Sequence, residues 1–538
     1  MMKRKIFTLL LVLILAVSLS ACGGGDDKPA SSMLSVNVGP EPESIDPAFN
    51  VSVDVATLLI HGFEGLMKLD ENGVPQPGMA GSYEISDDLL TYTFNIRDGA
   101  MWNDGEPLTA EQFVYAWKRA ADPSTGAPYG YLFDVVKGYA DVMEGNADAL
   151  WVKALDERTL EVALSAPCPY FLELCAFPTF SPVREDAVLS GESWAAEPGT
   201  YVSNGPYSLE EWVHDSYMVY AKNEYYYDAD AIGPDNIRFV LMEDDAAALA
   251  AFQNGEISFT DTLPAEEVEA WQGKPEYGAM PTIGTFFISF QTQKEPFDDP
   301  MVRKALSLAI DRNYICEQIS KAGEQPAGAY VPAGLTDSDI NVQFREAGGD
   351  YYSVEPSRYE ANCDEARELL ALAGYPAGSG FPKLEYIFNE STLHLQIGEA
   401  LQSMWKEELG IEAAVSQQEW GTFIGSLMAG NYDLARNGWN ADYNDPISFL
   451  DMWVSGGGNN VAGWSNAEYD ELIYEIKSTV DSKTRFAKMH EAETLLMDQM
   501  PIIPIYFSAD VFLIDPELEG FYCSPLGFKY FMNVSMPE

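Results

Sequence analysis

Apolar residues recur along this chain with two different periods, in short stretches separated by turn residues. Tyr92-Thr-Phe-Asn-Ile96 alternates with period two, the pattern of a half-buried strand. The turn-rich stretch Ala100–Pro107 follows. Thr109-Ala-Glu-Gln112 then has the spacing of a capping box and opens an amphipathic helix through Phe113, Tyr115, Ala116 and Trp117. Asp299 to Ile310 reads as a second helix, with Pro300 in its first turn, where the missing N–H costs nothing. Asn362 and Glu365 predict the start of a helix over Glu365–Ala373, stopping at Gly374 before Pro376. Ser465 and Glu468 predict the cap of another. Gly284–Gln291 and Ile502–Phe507 read as strands, the first entering a unit of the chain and the second leaving it. This alternation of strand-like and helix-like segments predicts an α/β architecture.

One run breaks the pattern. Ile6 to Leu19 is apolar except for Thr8 and Ser18, behind the basic Lys3-Arg4-Lys5, and is too short for a comfortable membrane span. It ends in Leu19-Ser-Ala-Cys22, followed by Gly23-Gly-Gly25. A secretory signal explains the charge and the apolar run but needs no cysteine at the cut. The Leu-Ser-Ala-Cys stretch resembles a bacterial lipobox. That resemblance implies cleavage before Cys22, lipid on its sulfur and amino group, and residues 1–21 as the signal. Several acyl chains on one residue give durable anchoring where one chain is marginal. Residues 22–33 read as a flexible tether.

Composition narrows the function classes. The chain has 538 residues, 84 Asp+Glu and 31 Lys+Arg, a net charge of −53. Loss of residues 1–21 takes away three cations and no acid, and so moves −53 to −56. So negative a body repels phosphate and predicts no nucleic-acid partner. With 47% hydrophobic residues it has ample material for several domain cores. Four histidines and no Cys-x-x-Cys, His-Glu-x-x-His or complete calcium loop predict neither metal nor cofactor. No nucleophile elbow, P-loop or dinucleotide fingerprint is present. Acid pairs are too abundant to single out a glycosidase pair, and a secreted carbohydrate-active hydrolase stays as the rival class. Five cysteines follow Cys22, namely Cys168, Cys175, Cys316, Cys363 and Cys523, and read as small buried hydrophobes.

Five separated stretches carry a family resemblance. They are Gly62-Phe-Glu-Gly-Leu66, Trp102 to Trp117 (Trp-Asn-Asp-Gly-Glu-Pro-Leu-Thr-Ala-Glu-Gln-Phe-Val-Tyr-Ala-Trp), Asn204 to Trp212, Pro296 to Leu306 with Asp311-Arg312, and Arg436 to Leu450. In this order they resemble the oligopeptide/dipeptide-binding proteins of bacterial ABC importers, the extracytoplasmic solute-binding family 5. The similarity runs from about Leu34 to the C-terminus.

The resemblance implies a two-lobed, type II periplasmic-binding-protein-like α/β fold with a hinge and an extra inserted domain. Lobe I would combine residues 34–66, 188–283 and 509–538, with 67–187 as the insert and 284–508 as lobe II. The hinge would lie near residues 283 and 508. It further implies a non-enzymatic receptor, monomeric and lipid-anchored on the outer face of the cytoplasmic membrane, that delivers oligopeptides to permease subunits. Relatives that take sugars or nickel chelates keep the ligand class open. Asp442, within Trp439-Asn-Ala-Asp-Tyr-Asn-Asp-Pro446, matches the carboxylate that meets the peptide amine. Trp439 and Trp420 match tryptophans that wall side-chain pockets, with Gly438 and Asn440 in the same motif. Arg436 and His394 match cations for the terminal carboxylate. Tyr131, Gly284, Thr285 and Phe287 match further lining positions, and Thr260 and Asp261 match backbone-pairing positions. Two departures stand out: an arginine of some relatives is Leu427 here, and a cleft acid is Val51. These imply a ligand preference of this chain's own.

Overall fold

The computed structural model describes residues 32–50, 52–71, 73–191, 193–339 and 341–536. The signal, Cys22, most of the tether and Val51 lie outside the described residues.

Two lobes share one large mixed sheet. Its strands run, edge to edge, Ala413–Gln418, Leu384–Asn389, Leu434–Asn440, Tyr277–Phe290, Ile502–Ile514, Phe259–Thr260, Met33–Asn37, Asn236–Val240, Tyr217–Lys222 and Tyr207–Val213. The short strand Gln325–Pro326 adds to Ile502–Ile514. Two long antiparallel strands therefore cross from one lobe to the other. Tyr277–Pro281 pairs with Leu513–Ala509, beside Phe259–Thr260 of the first lobe. The register then breaks between Pro281 and Thr285, and Thr285–Ser289 pairs with Phe507–Ile502. On its other side the second stretch pairs with the strand Leu434–Asn440, from Gly284↔Asn440 to Phe290↔Leu434. The register shifts again between Phe286 and Phe287, and a ladder so interrupted bends more easily there than elsewhere.

A separate four-stranded antiparallel sheet, in the order Ala80–Ile85, Thr91–Ile96, Thr159–Ala163 and Val152–Ala154, packs with the helix Ala110–Ala121. The predicted capping box is present, with the Gln112 side chain accepting from Thr109 N at 2.7 Å. Gln112 also accepts from Trp102 Nε1 at 3.0 Å, which ties the turn-rich loop to the helix start. The helix buries Phe113, Ala116 and Trp117 and keeps Lys118 and Arg119 in its last turn, where cations suit the dipole. A helix over Pro300–Leu308, capped by Asp299, also agrees with the sequence pattern.

Two helix starts differ from expectation. The helix predicted from Glu365 begins at Tyr359 and ends at Leu372, because the turn Pro356–Arg358 leads straight into it. Asn362 does not cap; its Nδ2 donates to Ser353 O. In the later helix Ala467–Ser478, the cap is Asn466, whose Oδ1 accepts from Glu468 N and Tyr469 N. Ser465 instead pairs its hydroxyl with Ser455. In the later helix a neighbour's side chain took the hydrogen bond that local spacing assigned to the expected cap, whereas the earlier helix has no side-chain cap. The five cysteines Cys168, Cys175, Cys316, Cys363 and Cys523 are free and buried.

Candidate functional site

A cleft of about 940 Å³ lies between the lobes. The first lobe contributes Asn50, Val53, Asp244, Asp261, Asp510 and Phe528, and the second contributes Thr285, Phe286, His394, Arg436, Trp439 and Asp442. Tyr129 and Phe177 come from the inserted unit. The end of the strand Leu434–Asn440 and the loop after it thus face both other bodies. Gly284 lets this strand approach: a Cβ there would stand 2.0 Å from Asn440 Oδ1.

The loop after that strand holds three acids with different fates. Asp445 is buried and locked bidentate by Arg485, at 2.6 and 2.9 Å. Asp451 pairs with Lys477 at 3.3 Å. Asp442, only 6% exposed, forms no ion pair among the described residues. Tyr131 donates its hydroxyl to Asp442 Oδ2 at 3.3 Å, and Tyr129 also bonds the carboxylate. Burial, and then the charge of Asp451, push its pKa up to about 8, against the lowering effect of the two tyrosines. An uncompensated buried carboxylate is costly unless a cation arrives. Its backbone N–H donates to Ser448 Oγ at 2.9 Å, and Trp439 Nε1 donates to Ser448 O at 2.8 Å. One short helix start therefore fixes both the acid and the tryptophan beside it.

The opposite charge lies on the same strand. Arg436 has a buried Nε with no partner, and its guanidinium lies 5.6 Å from the centre of the Phe286 ring. Burial lowers its pKa. His394 is buried and stacks on Phe286 at 5.7 Å, with Nδ1 unpartnered. Burial, and then the nearby Arg436 charge, hold its imidazole well below the usual histidine range, so it is neutral. Thr285 is buried and donates to Tyr330 O at 2.8 Å.

Several expected residues stand elsewhere. Phe287 is fully buried against Tyr330 and Trp453 and faces a core rather than the cleft; its strand neighbour Phe286 takes the lining position, since successive side chains alternate faces. Trp420, 48% exposed at the start of the helix Trp420–Met428, is outside the cleft lining. Thr260 is buried, pairing in the sheet and donating to Asn37 Oδ1 at 3.3 Å. Tyr131 reaches Asp442 but not the cleft wall, which Tyr129 lines. Leu427 is buried against Phe423 and Tyr432. Sequence reading missed Asn50 and Asp510, which line the cleft from remote segments and carry no local signal.

Residues 74–461 match the family model described as bacterial extracellular solute-binding proteins, family 5 Middle. The chain belongs to that family. It is 33% identical to the oligopeptide-binding protein OppA of Bacillus subtilis, covering 99% of both chains. It is 35% identical to that organism's dipeptide-binding protein DppE, covering 98% of both. Among solved structures, the murein tripeptide binding protein MppA of Escherichia coli aligns with TM-score 0.87 and 32% identity, over 95% of this chain and 99% of that one. An unliganded open form of MppA aligns with TM-score only 0.69, at 33% identity over 94% and 98%. A lower score at nearly equal identity and coverage is the signature of a rigid-body difference between lobes. The lobes here are therefore not in that open arrangement.

Cross-lobe contacts agree. Lys477 Nζ, on the helix Ala467–Ser478, lies 2.6 Å from Asp134 of the inserted unit. Asn444 N donates to Glu173 Oε2 at 2.6 Å, and Tyr170 stacks on Tyr443 with centroids 4.3 Å apart. No helix among the described residues is long and apolar enough to cross a membrane.

Proposed function

We propose that this family 5 protein captures oligopeptides in its interlobe cleft and presents them, enclosed, to a membrane permease of an ABC importer. The observation that carries the reading is Asp442, a buried carboxylate left without a cation in a loop whose other acids are paired. A peptide ammonium supplies the missing charge. Arg436, also without an ion pair among the described residues, suits the terminal carboxylate. The two are six positions apart, at most about 20 Å of extended chain, the span of a short extended peptide. Backbone groups of the strand Leu434–Asn440 can pair with such a peptide as an added strand, which gives affinity independent of its sequence. The relatives OppA, DppE and MppA, named for binding oligopeptides, dipeptides and murein tripeptide, support the same class.

Capture and closure belong together in this reading. Hinge bending falls at the register break near residues 283 and 508, with lobe I as 34–66, 188–283 and 509–538, the insert as 67–187 and lobe II as 284–508. Closure brings Tyr129 and Tyr131 onto Asp442 and Asp134 onto Lys477, so the amine site is desolvated as the lobes meet. The receptor performs no chemistry on its ligand. Lipid on Cys22 keeps it on the outer face of the cytoplasmic membrane, and it works as a monomer.

Calorimetry with mixed short peptides, repeated on Asp442→Ala, tests the ligand. Binding to the wild type and its loss in the variant are expected; response to oligosaccharides but to no peptide overturns the reading. Cys22→Ser should release the protein from membranes, and unchanged membrane retention would sink the anchor.

A further inference from the structure

Recognition of the peptide ends leaves out a cluster on the first-lobe wall. Lys529 Nζ lies 3.4 Å from Asp261 Oδ2 and 3.5 Å from Asp510 Oδ2, and is itself buried. Asp54 interacts with the same three groups; burial first, and then the Asp261 charge, raise its carboxyl to about 7. Two carboxylates thus share one ammonium, and a third, Asp54, lies within reach of their charges. They come from the helix start after Ser52, from the turn after Phe259–Thr260, and from the crossing strand Ile502–Ile514. Asp261 and Asp510 line the cleft, whereas Lys529 does not.

A second observation points the same way. Asn50 lines this wall, is 2% exposed, and its side-chain carbonyl has no hydrogen-bond partner. Gly527 places Asp510 next to Val53: a Cβ there would stand 3.2 Å from Val53 Cγ1 and 3.6 Å from Asp510 Oδ2. Surplus carboxylate charge and an unused carbonyl therefore lie along one wall, and the resident cation is already shared. Carboxylates outnumber cations along such a wall. A neutral side chain leaves the acceptors unmet, and an acidic one adds repulsion.

We propose that Asp261, Asp510 and Asn50, with Asp54 behind them, form a subsite for a cationic side chain, lysine or arginine, of the bound ligand. The proposal rests on the peptide reading above and deepens it from peptides at large to peptides with a basic residue at one position. A guanidinium or ammonium offers several N–H donors and no acceptor, which matches a wall of acceptors. It is separate from Asp442 on the second lobe, which meets the amino terminus.

The test is calorimetry with four-residue alanine peptides carrying a single lysine, norleucine or glutamate at each position in turn. Norleucine keeps the aliphatic stem and removes the charge. At one position lysine should bind about tenfold tighter than norleucine, and glutamate weaker than both. Asp510→Asn should shrink the lysine-to-norleucine ratio to within about threefold, and Lys529→Met should widen it. The ratio is taken within one preparation, so heat from the norleucine peptide also reports that the variant is folded. Should either variant not fold, Asp54→Asn takes its place and should lower the ratio. Equal binding of lysine and norleucine at every position overturns the subsite alone, as does a ratio unmoved by Asp510→Asn. If no peptide of the set binds the wild type, the peptide reading falls and the subsite with it.

Discussion

The two walls of the cleft handle buried charge in opposite ways. The second-lobe wall carries Asp442, which is buried, and Arg436, half-buried with its Nε out of solvent, each without an ion partner among the described residues. The first-lobe wall carries Asp54, Asp261 and Asp510 around a resident Lys529. An isolated buried charge is unstable until its counter-charge arrives, which makes it decisive for binding and harmful to the empty protein. A cluster with its own counter-ion is tolerable when empty and responds only by degrees to what enters. Recognition of ligand ends and recognition of side chains are thus placed on opposite sides of one cavity.

The comparison can be broken most sharply at Asp442. Asp442→Ala should cost about 3–5 kcal/mol of peptide affinity, a loss of more than a hundredfold in calorimetry. Because burial in the closed cleft raises Asp442 to about 8 when no cation accompanies it, peptide binding at pH 7 should release a proton. Affinity should accordingly weaken as pH falls below about 8, and calorimetry in buffers of different ionisation enthalpy reads the proton. The empty protein shows the converse sign. A carboxyl raised from 3.8 to about 8 favours the fold at low pH and loses that contribution as pH rises through about 8. Asp442→Asn should therefore melt at a higher temperature than the wild type at pH 8, with the gap shrinking towards pH 4. An unchanged melting temperature at pH 8 would show that Asp442 is not strained when alone.

Arg436 should give the next effect. Arg436→Leu is expected to cost about 1.5–3 kcal/mol for peptides with a free carboxylate and much less for their amides. Equal losses for both forms would remove the carboxylate from its role. Lys477, outside the cleft, tests closure instead of contact. Lys477→Met breaks the bridge between Asp134 and Asp451, and should weaken peptides about three- to tenfold through faster release. Small-angle scattering should then show a larger share of open molecules; a slower association rate with unchanged release would contradict a latch. The smallest effect belongs to Trp420, which lies outside the cleft lining. Trp420→Ala should change affinity less than about twofold, and a larger loss would extend the binding wall to that helix.

Local pattern and capping chemistry were legible along the chain. Strands at Thr91–Ile96 and Ile502–Ile514 and the helices at Ala110–Ala121 and Pro300–Leu308 stand where periodicity puts them. Two helix starts were misplaced: the turn Pro356–Arg358 carries one helix back to Tyr359, and Asn466 displaces the adjacent Ser465 as cap of the other. The site was legible only in part. Motif resemblance singled out Asp442 from Asp445, two residues that look alike locally, and the arrangement bears out a difference in their partners. Adjacent residues misled where the strand face was uncertain, as at Phe286 and Phe287.

The sequence alone determined the α/β class, the excess of acid, the signal-like N-terminus and the family motifs, since each is written in local order, spacing or composition. The tertiary structure alone decided which acids are paired. Arg485 reaches Asp445 from 40 residues away, Lys477 reaches Asp134 across 343, and Lys529 gathers Asp261 from a turn and Asp510 from a distant strand. Charge balance at a site depends on distances of a few ångströms between remote segments, and no local pattern in the chain encodes them.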